Sequence, residues 1–199
     1  MTKAPVRVAV LISGTGSNLR ALVEGAGDAY SVALVLSNRP EAPGLAWAAD
    51  RGIATLALPH APFGKDRQAH EAAIDDALRA HDIQVVALAG YMRVLTPWLV
   101  GRWSGRMLNI HPSLLPKYPG LDTHRRAIEA GDAEAGCTVH LVSEGVDEGP
   151  VLDQARVPVL DGDTPETLAA RVLEAEHRLY PAALERFCAG LVDRGPAPR

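Results

Sequence analysis

Cysteine is scarce in this chain, and long apolar runs are missing. Cys137 and Cys188 are the only cysteines among 199 residues, too few for a disulfide scaffold or a cysteine zinc site and typical of a reducing cytoplasm. No segment approaches the roughly 20 apolar residues that cross a membrane, and the short apolar run near the N-terminus leads into a glycine-rich turn rather than a signal-peptide cleavage site. The formal net charge is -4, so nonspecific binding to nucleic acid or acidic membranes is not expected.

Predicted short strands and helices alternate along the first half of the sequence. Apolar runs rich in β-branched residues predict strands at residues 6–12, 31–37, 55–58, 85–89 and 107–110. Helical spacing and helix-start signals predict helices at residues 43–51, 66–81 and 96–100, and a first helix that leaves the turn at residues 13–19 and runs to about residue 24. This alternation indicates right-handed βαβ units and therefore a parallel sheet.

The second half of the chain has a different pattern. Residues 137–142 and 151–159 predict two strands joined by a functional loop. Thr164 is expected to cap a long helix with Pro165 at its first position, and Pro181 is expected to kink or restart that helix. No internal repeat or linker is found, so we expect residues 1–199 to form a single domain with a frayed tail from about residue 193.

A glycine-rich turn follows the first strand and opens the first helix. It reads Ser13-Gly-Thr-Gly-Ser-Asn-Leu19, and its small residues let backbone N–H groups approach an anion, which the helix dipole also favours. Leu19 stands where a dinucleotide-binding fingerprint needs a third glycine, which favours a monophosphate and argues against a dehydrogenase. The alternative is a tight turn with Ser17 as the helix cap, and this motif alone does not decide between the two.

An amide and an imidazole are predicted side by side at the end of the fifth strand. Side chains alternate faces along a strand, so Asn109 and His111 point one way while Leu108 and Ile110 point the other. Asn can donate a hydrogen bond to a developing oxyanion, and His can move a proton near neutral pH. Three prolines stiffen the loop at residues 112–119. The pair therefore favours carbonyl chemistry over a purely structural role.

Two loops at other strand ends are candidates for ligand contacts. Gly90-Tyr-Met-Arg-Val-Leu95 lies where open α/β sheets bind ligands, and its Met and Leu suit a flat aromatic pocket, although an ordinary connecting loop is the alternative. Asp147 lies in the glycine-containing loop between the last two strands and could orient His111. Aspartate is also common in turns, and the sequence does not establish that the two residues are close.

Glu176 interrupts the apolar stripe of the long last helix. It follows Val172 by four residues and precedes Leu179 by three, which places it on the apolar face. An unpaired buried carboxylate is costly. A ligand amine or hydroxyl would supply a partner, while an internal salt bridge or a position at the rim of the helix explains the residue equally well.

The remaining histidines give weaker evidence of a functional role. His140 alternates with apolar residues in a strand and is either structural or near the site, and His124 could contact an anionic group. The other four are expected at the surface: His60, His70, His81 and His177. No His-x-Glu or Cys-x-x-Cys spacing supports zinc, and no metal is expected.

Together these motifs resemble the phosphoribosylglycinamide formyltransferase family, folate-dependent enzymes of purine synthesis. The resemblance runs from about residue 6 to residue 187 and is carried by the glycine loop, residues 89–95, Asn109-Ile-His-Pro-Ser-Leu-Leu-Pro-Lys-Tyr-Pro-Gly120, Asp147-Glu-Gly-Pro150 and Glu176-His-Arg-Leu-Tyr-Pro181. The Asn-x-His-Pro-Ser-Leu-Leu-Pro element is specific to folate formyltransferases as a group. The resemblance implies a Rossmann-like α/β formyltransferase fold, with a mostly parallel sheet, helices on both faces and an antiparallel C-terminal part.

The resemblance also implies a reaction. The formyl group of 10-formyltetrahydrofolate, the co-substrate, passes to the amine of 5'-phosphoribosylglycinamide, and no metal is needed. The family's catalytic trio falls on Asn109, His111 and Asp147. Asn109 and protonated His111 are implied to stabilise the tetrahedral oxyanion, while Asp147 holds His111 and helps to organise water for proton transfer to the leaving folate nitrogen.

Substrate contacts are carried over in the same way. The ribonucleotide is implied to contact Gly16, Ser17, Asn18 and Glu176, the first three at its phosphate. The folate is implied to contact Arg67, Met92, Arg93, Val94, Leu95, Asn109, Ser143, Glu144, Gly145, Val146 and Asp147. One position departs from the pattern, because Asp122 stands where bacterial relatives often carry His.

Other formyl-folate enzymes and a nucleotide-binding module are the alternative functions. Methionyl-tRNA formyltransferase shares the catalytic trio but has an added C-terminal domain, formyl-folate hydrolases use water as the acceptor, and sugar-nucleotide formyltransferases are longer. A non-catalytic nucleotide-binding module explains neither the Asn109 and His111 pair nor Glu176. We therefore expect a cytoplasmic enzyme with small-molecule substrates, no nucleic-acid or membrane partner, and a monomeric or homodimeric state.

Overall fold

A computed structural model describes residues 4–194, and the side chains of residues 4–191. Its sheet has the strand order β3-β2-β1-β4-β5-β6-β7. The seven strands are Val6–Ile12 (β1), Tyr30–Ser37 (β2), Ala54–Ala57 (β3), Val85–Leu88 (β4), Met107–His111 (β5), Glu134–Leu141 (β6) and Val151–Pro158 (β7). The pairs from β3 to β5 are parallel, while β6 pairs antiparallel with both of its neighbours. The predicted fold, a mostly parallel sheet with an antiparallel C-terminal part, is confirmed.

Helices cover both faces of the sheet. They are Ser17–Glu24 (α1), Pro43–Ala49 (α2), Arg67–Ala80 (α3), Pro97–Arg102 (α4), Thr123–Glu129 (α5) and Pro165–Arg194 (α6), with a short 3₁₀ helix at Ala61–Phe63. Apolar residues of α1, α5 and α6 form one buried cluster with the sheet, and residues of α3 and α4 form a second cluster. No helix within residues 4–194 combines the length and apolarity needed to cross a bilayer.

The central strands show why continuous apolar runs predict this arrangement. In β4, Val85 and Ala87 join the first cluster, whereas Val86 and Leu88 join the second. A strand covered on both faces has no solvent side, so its sequence does not alternate between apolar and polar residues. The burial of these strands fixes the position of the loops at their carboxyl ends.

Two features of the helices differ from the sequence predictions. The helix α5 was not predicted, since few of its residues are buried and it has no long apolar stripe. A restart of α6 at Pro181 was wrong, because the helix is continuous from Pro165 to Arg194. Next to the proline, Tyr180 is fully buried and its hydroxyl donates to the carbonyl of Leu88 at 3.0 Å, so packing there offsets the lost backbone bond. Residues 193–194 are helical, and the rest of the predicted frayed tail lies outside the described residues.

The strand order places the loops after β1 and β4 together at one edge of the sheet. Chain order turns around at β1, because β2 lies on one side of it and β4 on the other. Such a switch point opens a crevice at the carboxyl ends of the strands, where open α/β sheets bind ligands. The loops after β1 and β4 meet there, since the N–H of Ser13 donates to the carbonyl of Gly90 at 3.1 Å.

Candidate active site

The end of β5 carries the predicted amide and imidazole on one face. Asn109 pairs with His140 and His111 with Thr138 across the antiparallel ladder to β6. Leu108 and Ile110 point to the opposite face and enter the first buried cluster. The His111 ring is buried, and its Nε2 lies 2.9 Å from the carbonyl oxygen of Tyr118, in the proline-rich loop.

Asp147 lies between two histidines. Its Oδ2 is 3.3 Å from Nδ1 of His111 and accepts a hydrogen bond from the N–H of Gly120 at 2.9 Å. Its Oδ1 is 3.6 Å from Nε2 of His140. Asp147 has a φ of 56°, in the left-handed region, which aspartate tolerates better than most residues. The structure thus places Asp147 against His111, a proximity that the sequence left open.

The environment of Asp147 keeps its carboxyl group ionised. Burial alone would raise the pKa of this group. The polar contact with His140, the hydrogen bond from Gly120 and the charge of His111 outweigh burial and hold the pKa below its ordinary value. A fixed negative charge therefore faces both imidazoles at neutral pH.

His140 belongs to the same cluster as the predicted trio. Its Nε2 lies 3.3 Å from Nδ2 of Asn109, and its Nδ1 lies 3.0 Å from the carbonyl oxygen of Leu141. Sequence reasoning left His140 between a structural role and the site. The cross-strand register, which pairs it with Asn109, is the signal that resolves this, and it depends on strand pairing rather than on local pattern.

A cavity of about 430 Å³ opens beside this cluster. The loop after β4 forms one wall, residues 142–147 form another, and Asn109 and His111 also line it. Large apolar side chains remain exposed at its rim, since Met92 is 67% exposed and Val94 is 63% exposed. Isolated exposed apolar residues are ordinary, but a contiguous apolar rim marks a binding site.

Of the residues carried over for folate contact, all except Arg67 line this cavity. The guanidinium of Arg67 donates instead to the carbonyl of Val94. Arg67 therefore contacts the back of the loop whose side chains form the wall. Its position suits a residue that holds the loop in place.

The glycine loop wraps the start of α1 without a side-chain cap. Gly16 is the N-cap residue, has a φ of 74° and requires glycine's freedom there. Ser17 is the first helical residue, and no side chain caps the helix, so the alternative that made Ser17 the cap is wrong. Ser13 ties the loop to its surroundings, because its hydroxyl donates to Oδ1 of Asn38 at 2.5 Å and accepts from the N–H of Met92 at 2.8 Å.

Asn18 and Glu176 form a buried polar pair between the first and last helices. Nδ2 of Asn18 donates to Oε2 of Glu176 at 2.7 Å. Among the described side chains no cation pairs with Glu176, and Glu176 is buried, so neither an internal salt bridge nor a rim position explains it. Burial raises the pKa of Glu176, and the Asn18 hydrogen bond opposes this only in part. Oδ1 of Asn18 is buried without a partner in the described part of the chain, so the pair offers an acceptor to a ligand donor.

Asp122 and two other histidines lie outside the cluster. Asp122 is the N-cap residue of α5 and pairs with Arg125 at 2.6 Å. Burial, followed by the charge of His111, lowers the pKa of His124. The expectation that His70 lies at the surface was wrong, because it is buried and its Nε2 lies 2.9 Å from the carbonyl oxygen of Leu58. Within the described residues, no group of three or more His, Cys, Asp or Glu side chains is arranged to hold a metal ion.

Comparison with known proteins places the chain in a family. The formyl transferase family model matches residues 6–184, which is most of the sequence. This chain belongs to the formyl transferase family. Membership confirms the family resemblance predicted from the motifs.

Solved members of the formyl transferase family have the same fold. The phosphoribosylglycinamide formyltransferase of Brucella melitensis has a TM-score of 0.89 and 54% sequence identity, and the alignment covers 94% of this chain and 97% of that one. The phosphoribosylglycinamide formyltransferase of Escherichia coli K12 is 45% identical over 188 residues, which are 93% of this chain and 88% of that protein. Both relatives are therefore matched over nearly their full length.

Longer relatives contain the formyl transferase domain as one part. The human trifunctional purine biosynthetic protein adenosine-3 is 46% identical over 196 residues, covering 97% of this chain but only 19% of that protein. The Drosophila melanogaster protein of the same name is 47% identical, and the match covers 14% of it. This chain thus spans a fifth or less of these trifunctional proteins.

Proposed function

We propose that this chain transfers the formyl group of 10-formyltetrahydrofolate to the amine of 5'-phosphoribosylglycinamide. The products are formylglycinamide ribonucleotide and tetrahydrofolate, in de novo purine synthesis. One observation carries the proposal: Asp147 lies within 3.3 Å of His111 and 3.6 Å of His140, on the wall of the open cavity. An ionised carboxylate between two imidazoles, next to an amide, suits the stabilisation and proton transfer that formyl transfer requires.

The cavity fits the folate. Its walls supply apolar side chains from the loop after β4 and backbone groups from residues 143–147. A pterin ring is flat and carries several hydrogen-bonding groups on its edge, so apolar walls with backbone partners suit it. The formyl group would then lie near Asn109 and His111.

The glycine loop and the buried pair fit the ribonucleotide. Backbone N–H groups of Gly16, Ser17 and Asn18 lie at the start of α1, where the helix dipole favours a phosphate. Glu176 and the unpartnered Oδ1 of Asn18 are acceptors, so they select ligand groups that donate, such as hydroxyls or an amine. A substrate with a phosphate at one end and donors along its length matches both features.

The chemistry follows from the contacts of each side chain. The substrate amine attacks the formyl carbon, a C–N bond forms, and the bond from that carbon to the folate nitrogen breaks as the amine proton passes through water to the leaving nitrogen. Nδ2 of Asn109 has two N–H groups, of which the contact with His140 uses at most one, so the other is free for the oxyanion. Both ring nitrogens of His111 face acceptors, so an imidazolium satisfies both contacts and places positive charge beside the oxyanion. Each such stabilising donor is worth about 2.7–4 kcal/mol.

An absorbance assay tests the proposal directly. Tetrahydrofolate formation from 10-formyltetrahydrofolate is followed with and without 5'-phosphoribosylglycinamide. We expect product only when the ribonucleotide is present. Product without it would mean hydrolysis, and no product in either case would overturn the proposal and favour a different acceptor or a nucleotide-binding module.

The wider setting of the enzyme is proposed on the same grounds. We infer a single domain over residues 1–199 that acts on small molecules in the cytoplasm, without a nucleic-acid partner, because the net charge of -4 offers no surplus of basic residues. A monomer or a homodimer is expected. Light scattering coupled to size-exclusion chromatography checks the mass, and a larger assembly would contradict this expectation.

Glu176→Gln should weaken ribonucleotide binding without affecting the folate. The variant keeps an oxygen to accept from Asn18 but loses the negative charge that a substrate donor contacts. A hydrogen bond to a charged group contributes about 1.5–3 kcal/mol, so we expect KM for the ribonucleotide to rise by about 10- to 100-fold, with kcat and KM for the folate little changed. Glu174→Gln, an exposed carboxylate on the same helix, is the matched control and should match the wild type.

The same substitution should change how stability depends on pH. Burial raises the pKa of Glu176 above 4.5, so the folded chain holds this proton more tightly than the unfolded chain does. The free energy of unfolding of the wild type therefore falls as pH rises from 4.5 through the folded-state pKa. Glu176→Gln lacks this decline. Its melting temperature should therefore rise relative to that of the wild type as the pH increases from 4 to 8. A constant difference across that range would contradict the prediction.

A further inference from the structure

Two arginines gather at one tryptophan beside the glycine loop. The Cζ atom of Arg20, on α1, lies 5.5 Å from the centre of the Trp47 ring, on α2. The Cζ atom of Arg51, just beyond α2, lies 3.9 Å from the same ring. Arg51 also donates to the carbonyl of Trp47 at 3.4 Å, within its own turn. Arg20 is therefore the arginine that bridges the two helices through the indole.

Arg20 has no ion-pair partner among the side chains that the structure describes. Among the described side chains, no carboxylate lies within ion-pair distance of its guanidinium and no acceptor bonds to it. The first turn of α1 holds no acidic residue either. A tryptophan contact holds a guanidinium in place while leaving its N–H groups free, because the ring attracts the cation through its face and accepts no conventional hydrogen bond.

Arg20 also lies close to the proposed phosphate position. It follows Ser17 by three residues, so the two are neighbours on one helix face about one turn apart. Both line an open groove of about 930 Å³ between α1 and α6. Next to Ser17, Asn18 is only 8% exposed, and its Oδ1 has no partner within the described residues. Among the described residues, the helix start thus combines a buried acceptor that has no donor with a guanidinium that has no anionic partner.

We propose that Arg20, held by Trp47, binds the phosphate of the ribonucleotide and makes the enzyme select a phosphorylated acceptor. This inference rests on the proposed function, since it assigns a side chain to the substrate of that reaction. The guanidinium donates to phosphate oxygens that the backbone N–H groups of Gly16, Ser17 and Asn18 leave free. Its planar fork suits two such oxygens at once. Trp47 restrains the long side chain before binding, so less conformational entropy is lost when the phosphate arrives.

Arg20→Gln and Arg51→Gln form a matched pair of variants. Each removes one positive charge from the same indole, but only Arg20 lies on the face of α1 that carries Ser17. We expect Arg20→Gln to raise KM for 5'-phosphoribosylglycinamide by about 10- to 50-fold, with kcat and KM for the folate within twofold. Arg51→Gln should leave all three values within about twofold. Trp47→Leu should give a smaller rise than Arg20→Gln, and circular dichroism melts report whether each variant folds.

Inorganic phosphate separates this inference from the proposed function. Its affinity is measured by calorimetry on the wild type and on both arginine variants, without folate or formyl transfer. Weaker phosphate binding in Arg20→Gln alone supports the inference even if the wild type transfers no formyl group. Equal phosphate binding in the wild type and Arg20→Gln, or equal losses in both arginine variants, would overturn it while leaving the transferase proposal standing.

Discussion

We expect His111→Ala to lower kcat for formyl transfer by about 10²- to 10⁴-fold, because it removes both a charged neighbour of the oxyanion and the partner of Asp147. The His111 ring is buried, with one nitrogen 2.9 Å from the Tyr118 carbonyl and the other 3.3 Å from Asp147. Neither contact is made by a residue proposed to bind the ribonucleotide. The loss should therefore fall on kcat, with KM for the ribonucleotide nearly unchanged.

Steady-state kinetics with both substrates varied measure this effect. His60→Ala is the matched control, since His60 is exposed and distant in sequence from the cluster, and it should keep wild-type values. Circular dichroism melts establish that the variant is folded at the assay temperature. Near-normal turnover by folded His111→Ala would rule out the proposed chemistry, whereas a loss confined to KM would reassign His111 to binding.

Asp147→Asn is expected to lower kcat by about 10²- to 10³-fold, since an amide of the same shape cannot hold an imidazolium by charge. The substitution is otherwise conservative. Asparagine tolerates the left-handed backbone that Asp147 adopts, with a φ of 56°, and its oxygen can still accept from Gly120. Because Asn18 and Glu176 are untouched, KM for the ribonucleotide should stay within about twofold.

The control for this variant is Asp122→Asn, another aspartate with a left-handed backbone, in a neighbouring loop. Its carboxylate pairs with Arg125 rather than with a histidine, so full activity is expected. Wild-type kcat in Asp147→Asn would contradict a role for the charge. Similar losses in both variants would point to the loops rather than to the carboxylate of Asp147.

Asp147 should also affect how the stability of the folded chain depends on pH in acid. Contacts with His140, Gly120 and His111 outweigh burial and hold its pKa below 3.8. A carboxyl group with a depressed pKa stabilises the folded state above its unfolded value, and that contribution is lost as pH falls through the folded value. Asp147→Asn should therefore be less stable than the wild type at pH 7, and the difference should shrink as pH falls below 3.8.

Local pattern was enough to predict much of the fold. The first strand has its predicted bounds, Val6–Ile12, because Pro5 before this β-branched run and Ser13-Gly14 after it leave little freedom in where the strand begins and ends. Asn109 and His111 share a face because side chains alternate in any strand. Prediction failed where packing decided the outcome. The continuous helix at Pro181 depends on the buried contacts of Tyr180. The burial of His70 depends on the segment around Leu58, whose carbonyl oxygen its ring contacts.

The candidate site was predictable only in part, because its key distances join segments far apart in the sequence. Motif resemblance named Asp147, but no short-range rule brings it to His111. That contact needs the antiparallel hairpin of β6 and β7 and a left-handed residue in the loop that joins them. The position of His140 depends on the pairing of β6 with β5, which sets it opposite Asn109. Glu176 was the exception, since a carboxylate on an apolar stripe is visible in a single helix.

The hydrogen bond between Asn18 and Glu176 joins residues 158 positions apart. A ribosome makes Asn18 near the start of synthesis and Glu176 near its end, whereas every residue that lines the folate cavity precedes Val151. The cavity is therefore fully encoded before the acceptor pocket is. A chain that ends before the last helix therefore contains the residues that line the cavity but lacks Glu176, so the acceptor site cannot be complete without that helix.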